Sequence, residues 1–230
     1  MVNNSQIKPW QRWRMLIVGF CLFSAVGCAT TPEPGPPALI LTKYKQVALL
    51  PFANAAALYG EGKEVRNPLT AKVFTTGAVP ETAPDVLTQE LWNQLQTKTS
   101  SRIIPPEQSL GEKAELISEA TVFRERRLLA ELGRRQGADA VLMGTLYRFR
   151  ERVGLKYSAE TPAAVTFDLQ LIDASSGRVV WWRSFDEVQQ PLSENLLNLG
   201  TFIKVKGRWL TAAQMSALAL DGMTTELVQP

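Results

Sequence analysis

The sequence predicts an α/β fold, a three-layer mixed sheet with flanking helices. Three observations predict it. Short apolar runs of strand length open the body and recur past its middle; segments with leucines at every fourth position lie between them; and two alternating strands joined by a turn signal precede a last helical stripe.

Taken in order, Lys45-Gln46-Val47-Ala48-Leu49-Leu50-Pro51-Phe52 is a nearly continuous apolar run ended by proline, which suits a central strand buried on both faces. Residues 53–82 hold Gly60, Gly62, Pro68, Gly77 and Pro80 without a period. They are expected as a long loop, and a loop of that length is a candidate contact surface. From Thr82 or Asp85 as cap, Leu87, Leu91 and Leu95 form a core-facing helical stripe to Thr97. Ile103-Ile104 reads as a short strand stopped by Pro105-Pro106. Ser109 and Glu112 have capping-box spacing at the head of a helix with Leu110, Ala114 and Ile117, and a further helix, Val122 to Gln136, stops at Gly137. Ala140 to Leu146 reads as a buried strand that runs out into Tyr147-Arg148-Phe149-Arg150. Val165, Phe167, Leu169 and Leu171 alternate with Thr166, Asp168 and Gln170, as in a half-buried strand. Asp173 to Gly177 is a turn signal, Arg178 to Phe185 returns as the hairpin partner, and Met215, Ala219, Met223 and Leu227 mark the last helix.

The N-terminus reads differently. Lys8, Arg12 and Arg14 precede the apolar segment Met15 to Gly27, which is too short to span a membrane but has the length of a secretory signal core. Its end, Ala25-Val26-Gly27-Cys28, resembles the lipobox of bacterial lipoproteins, with alanine where that family favours leucine. The resemblance implies a signal peptide over 1–27, cleavage before Cys28, a diacylglyceryl group on the Cys28 thiol and, with Ala29 following, sorting to the outer membrane. Cys21 would leave with the signal, so the mature chain would hold no disulfide. Four prolines between Ala29 and Pro37 favour an extended spacer of about 28 Å. The expected organisation is therefore signal 1–27, lipidated cysteine and tether 28–44, and a single periplasmic domain 45–230 with an irregular excursion at 186–210.

Composition narrows the chemistry. Histidine is absent, which excludes Ser-His-Asp and Cys-His nucleophiles and every histidine metal site. Without the first 27 residues the chain has 22 basic and 22 acidic residues, no footprint for nucleic acid. Arg124, Arg126, Arg127, Arg134 and Arg135 are interrupted by Glu125 and Glu131 and backed by Val122, Leu129 and Leu132, so they read as a solvated helix face. Gly60-Glu61-Gly62-Lys63 fails the phosphate-loop pattern. Asp168, Asp173, Asp186 and Glu187 offer carboxylates, but a turn accounts for Asp173 and a polar strand face for Asp168. No catalytic residue, metal, cofactor or small-molecule substrate is expected.

Val47 to Phe52, Gly137 to Gly144 and Leu171 to Trp181, in that order and spacing, resemble a bacterial envelope group: the curli-secretion lipoprotein (CsgG-type), the N-terminal domain of TolB and the lipoprotein activators of penicillin-binding proteins. Phe74 to Pro80 resembles the approach of that group to its first helix. The resemblance covers about residues 45–188 and implies an assembly factor rather than an enzyme.

The expected function is a lipid-anchored outer-membrane protein facing the periplasm. It would bind envelope proteins, and copies of itself, as an assembly or scaffold factor of an envelope or secretion complex. Candidate contact residues are Trp181 and Trp182, which point to opposite faces of one strand, with Phe202 and Trp209. Two alternatives stand beside it: a subunit of a curli-type secretion pore, and an envelope hydrolase. Against the pore, residues 151–164 are too few and too polar for two spanning strands, and Pro191 breaks the second excursion.

Overall fold

The computed structural model describes residues 40–119, 125–155, 158–189 and 209–228. After a 3₁₀ turn at Leu41–Lys43, the chain forms β1 (Gln46–Leu49), β2 (Ala53–Asn54), α1 (Ala55–Tyr59), β3 (Glu64–Arg66), β4 (Val73–Thr75), α2 (Ala83–Lys98) and β5 (Arg102–Ile104). It continues with α3 (Pro106–Glu119), α4 (Glu125–Arg135), β6 (Ala140–Arg150), β7 (Val153–Leu155), β8 (Ser158–Thr161), β9 (Ala164–Asp173), β10 (Val179–Val188) and α5 (Ala212–Val228).

The sheet runs in the order β10-β9-β6-β1-β5, and β2 extends the far half of β6. β1 is parallel to β5 and β6, whereas β9 is antiparallel to both β6 and β10. This is the mixed sheet the sequence predicts, and helices cover both of its faces. On one, Leu87, Leu91 and Leu95 of α2 and Met215, Leu220 and Leu227 of α5 pack on Val47, Leu49, Leu142, Phe167 and Leu169. On the other, Leu116 of α3 and Leu128, Leu129 and Leu132 of α4 pack on Ala48, Leu50, Val141, Met143 and Ile172. Each such leucine contributes about 1.5–3 kcal/mol by leaving water. Gly144 lets the layers close, since a Cβ there would sit 2.3 Å from the Phe52 ring.

Several local expectations are met and several are corrected. Gly137 and Gly177 have φ of +65° and +67°, as their turns require. Thr82 makes no side-chain cap on α2. The capping box fails too: α3 begins at Pro106, a residue suited to the first helical position, so Ser109 lies inside the helix and its hydroxyl meets Gln136 Oε1 at 3.3 Å. Asp139 Oδ2 accepts the backbone N–H groups of Lys45 and Gln46 at 2.8 and 3.0 Å, which fixes the start of β1 beside β6. The arginine face of α4 is solvated as expected: Arg134 pairs with Glu131 at 2.6 Å and Arg135 reaches Glu131 and Glu112. Arg124 and Val122 lie outside the described residues.

The largest correction concerns residues 53–82. Instead of a loop they form β2, α1 and the β3–β4 hairpin, in which Val65 pairs with Phe74. Elements of two to five residues are too short to show a period, and local polar bonds supply the order. Asn54 Oδ1 caps α1 by accepting the Ala57 N–H at 3.0 Å. Thr76 Oγ1 donates to the Gly60 carbonyl at 2.7 Å. Asn67 Oδ1 accepts the N–H groups of Leu69 and Thr70, an Asx turn that reverses the chain between β3 and β4. The segment is a strap over the sheet.

Candidate functional site

The strap lies on the far half of β6 and on the polar side of β9. Phe74 stacks on Tyr147 with ring centroids 4.2 Å apart, and the Gly77 N–H donates to the Tyr147 carbonyl. Beneath it, Asn67 Nδ2 donates to Asp168 Oδ2 at 2.8 Å and to the Tyr147 hydroxyl at 3.2 Å, and that hydroxyl donates to Asp168 Oδ2 at 3.2 Å. Thr166, Asp168 and Gln170 are all 0 % exposed, so the expectation of a half-buried strand is overturned: none of the three meets water, and Asp168 is bonded to Asn67 of the strap.

Electrostatics follow from that burial. Desolvation pushes the Asp168 carboxyl up to about 6, against the opposing hydrogen bonds of Tyr147 and Asn67 and the nearby Gln170 amide. The Tyr147 hydroxyl is raised too, first by burial and then by the Asp168 charge. Asp168 Oδ1 and both ends of the Gln170 amide make no hydrogen bond within ordinary geometric limits. A carboxyl and a phenol 3.2 Å apart have the chemistry of an acid/base pair. Here they are 0 % and 1 % exposed, so the arrangement can hold the strap down but gives a substrate no approach.

At its outer rim the strap meets β10. Lys72 Nζ donates to Ser184 Oγ and lies 5.2 Å from the Phe74 ring centroid and 5.8 Å from that of Trp182. Of the candidate contact residues, Trp181 is 2 % exposed, packed in the core with its Nε1–H toward Glu226, and has no surface to offer. Trp182 and Trp209 are half-buried. Phe202 and Cys28 lie outside the described residues. Asp186 accepts from Arg148 at 2.7 Å and from Thr166 at 2.8 Å, while Asp173 holds its turn by accepting from Ser175 and Ser176. The structure therefore separates the carboxylates instead of pairing them. Among the described residues no three of His, Cys, Asp and Glu gather as a metal site, and no helix is long and apolar enough to cross a membrane.

Sequence reasoning missed the exposed apolar side chains. Six of the nine large ones among the described residues lie on the strap or where β7, β8 and β10 project from the sheet: Leu58, Tyr59, Val73, Val153, Leu155 and Val188. Leu58 and Leu155 are 71 % and 75 % exposed. Their signal was apolar residues inside segments otherwise polar enough to be read as loops. These segments mark a distal end, where β6 finishes, β9 begins and β10 finishes.

Layered α/β domains with a mixed sheet are a broad class. No family model matches this chain, and no curated protein matches it. Solved structures similar to it include the PelC dodecamer from Paraburkholderia phytofirmans, 16% identical over 85% of this chain and 95% of that one, with a TM-score of 0.48. Others are lipoprotein GNA1162 from Neisseria meningitidis (15% identical, 70% and 93% covered, TM-score 0.40) and the LpoB C-terminal domain from Escherichia coli (17%, 63% and 83%, TM-score 0.37). All three identities lie below 20% and all three TM-scores below 0.5, so function has to be read from this chain's own residues.

Proposed function

We propose that this chain is a lipoprotein anchored through Cys28 in the bacterial outer membrane, facing the periplasm, which works without catalysis by binding other proteins. It serves as an assembly or scaffold factor of an envelope or secretion complex, with neighbouring copies among its contacts. The observation that carries the reading is the concentration of exposed apolar side chains on the strap and the β7–β8 hairpin. Singly exposed hydrophobics need no explanation, but a set borne by the excursions of one end has the composition of a contact surface. The buried state of Asp168 and Tyr147 supports a structural rather than a catalytic role for that pair. The β7 and β8 strands, of 3 and 4 residues, fall well short of the roughly 9–11 that cross a membrane as a barrel strand, which disfavours the pore at that excursion.

A photo-reactive residue at Leu58, Tyr59 or Leu155 should give protein adducts in intact cells, while one at Leu110 of α3 or Leu218 of α5 should not. Equal adducts at all five positions, or none at the first three, would refute the distal contact surface. Cys28→Ala should release the protein from the membrane fraction or leave the precursor unprocessed; normal processing and fractionation would remove the anchor.

A further inference from the structure

The end of the body opposite the strap, where the chain enters from its tether, carries a different chemistry. The 3₁₀ turn is fixed there by Ser101 Oγ, which donates to the carbonyls of Leu41 and Tyr44, and by Tyr44, whose hydroxyl donates to Asp173 Oδ2 at 3.2 Å. A chain of backbone and carboxylate bonds then runs across the sheet ends. The Arg102 N–H donates to the Lys45 carbonyl, the Lys45 N–H to Asp139 Oδ2, the Ala174 N–H to the Asp139 carbonyl and the Asp173 N–H to the Arg178 carbonyl. Lys45, Arg102 and Arg178 thus stand in one row, with Lys43 on the adjoining turn, and all four side chains are exposed. None makes an ion pair among the described residues.

Two carboxylates of this row, Asp139 and Asp173, are engaged within the chain. Asp139 accepts backbone N–H groups of β1, and Asp173 accepts from Tyr44, Ser175 and Ser176, bonds that hold its carboxyl below the usual range despite the opposing effect of burial. Lys43, Lys45, Arg102 and Arg178 therefore face solvent beside two carboxylates whose oxygens are bound within the chain, and the four cations outnumber that pair. Lys43, Tyr44, Ser175, Ser176 and Arg178 also line an open recess of about 500 Å³, in which the three hydroxyls donate to Asp173 and leave the two cations as the groups that can meet an anion. Because the chain from residue 28 onward balances 22 basic with 22 acidic residues, this excess is a local polarity and not a property of the whole surface.

We propose that this tether-side end, Lys43, Lys45, Arg102 and Arg178 around the recess, is a docking surface for the anionic phospholipid headgroups of the membrane that holds the tether. The twelve residues from Cys28 to the first described residue can span at most about 43 Å, so the body is held within reach of that surface. At physiological ionic strength charge acts over about 8 Å, so only the end that touches the membrane gains. Docking there turns the strap and the β7–β8 hairpin away from the lipid, toward partners. The inference rests on the proposed Cys28 anchor, and its test dispenses with the acyl group so that the two fail separately.

Every core residue among the described residues lies between Ile40 and Val228, so a chain from residue 29 to 230 carries all of them. Its partition onto vesicles of phosphatidylcholine with 30% phosphatidylglycerol should exceed that onto pure phosphatidylcholine and fall with salt. Lys43→Ala with Arg178→Ala should weaken it about 25-fold, at about fivefold per cation. Lys63→Glu with Arg150→Glu, at the distal end, should leave it within about twofold by the same scale, since neither group would reach the lipid. Equal binding to both vesicle types overturns the proposal, as does a loss from the distal pair as large as from the proximal pair. Circular dichroism and urea midpoints confirm that each variant is folded before it is scored.

Discussion

Val165, Phe167, Leu169 and Leu171 on one face of β9, and Thr166, Asp168 and Gln170 on the other, are all fully buried, yet the two faces are covered in different ways. The apolar face meets α2 and α5 through side chains that carry no hydrogen-bonding obligation. The polar face meets a strap whose fit depends on a few directional bonds from Asn67 and Tyr147, and three polar atoms there stay unpaired. Burial that is cheap on the first face costs desolvation on the second, offset only where a hydrogen bond is made. The first face should therefore dominate global stability. The second should decide whether the strap stays closed.

The largest effect should come from the apolar face. Phe167 packs edge-on against Phe52 at 5.8 Å and against Phe185 at 5.6 Å, and Phe167→Ala should cost about 3–5 kcal/mol in urea unfolding. A cost below about 1 kcal/mol would mean that this face is not the stabilising one.

Asn67→Ala tests the polar face. It removes both donors to the Tyr147–Asp168 pair and the acceptor of the Asx turn, and should cost about 2–3 kcal/mol. Hydrogen exchange should rise in β3 and β4 while the amides of α2 stay protected. Equal loosening of both would show that the strap is part of the core rather than a cover on it.

Asp168 gives the same face a pH signature. Its carboxyl, at about 6 when folded against about 3.9 when unfolded, favours the folded state in its protonated form. That contribution is complete below about pH 4 and is lost as pH rises through 6. Relative to the parent, Asp168→Asn should therefore gain on the order of 2–3 kcal/mol between pH 4 and pH 7. Asp173 has the opposite sign: its lowered carboxyl gives stability that is present above about pH 4 and lost on further acidification, so Asp173→Asn should stay nearly level with the parent between pH 4 and pH 7 and gain on it only below pH 4. Parallel profiles for the two variants would contradict the assigned environments.

The comparison also shows where the sequence is legible. Leu87, Leu91 and Leu95 announce their helix because a four-residue spacing repeats over three turns, and the alternation of β9 assigns its residues to the correct faces. A period of two cannot say whether the polar face meets water or another part of the chain. That answer depended on β3 and β4, strands of three residues each, which are too short for any periodic signal. Asn67 with Leu69 and Thr70 was a readable turn, and Pro106 a readable helix start, but neither stands out against glycine, proline and polar neighbours of similar appearance. Trp181 and Trp182 were correctly set on opposite faces, and only packing against α5 shows that Trp181 belongs to the core.

The smallest effect should come from the rim of the strap. Lys72 is exposed; it holds Ser184 of β10 and lies over the buried Phe74 ring and the half-buried Trp182 ring. A cation over a partly wet ring contributes about 0.5–1 kcal/mol, and the hydrogen bond to Ser184 competes with water. Lys72→Ala should therefore cost less than about 1 kcal/mol and leave the exchange of β3 and β4 close to the parent's. Asn67, dry and bonded to a buried carboxyl, should matter more than Lys72, whose ammonium bonds one hydroxyl and lies over two rings. If Lys72→Ala instead opened the hairpin as far as Asn67→Ala, the strap would be clamped from its exposed rim. The buried Asp168 would then be a cost of covering this face and not the means of holding it closed.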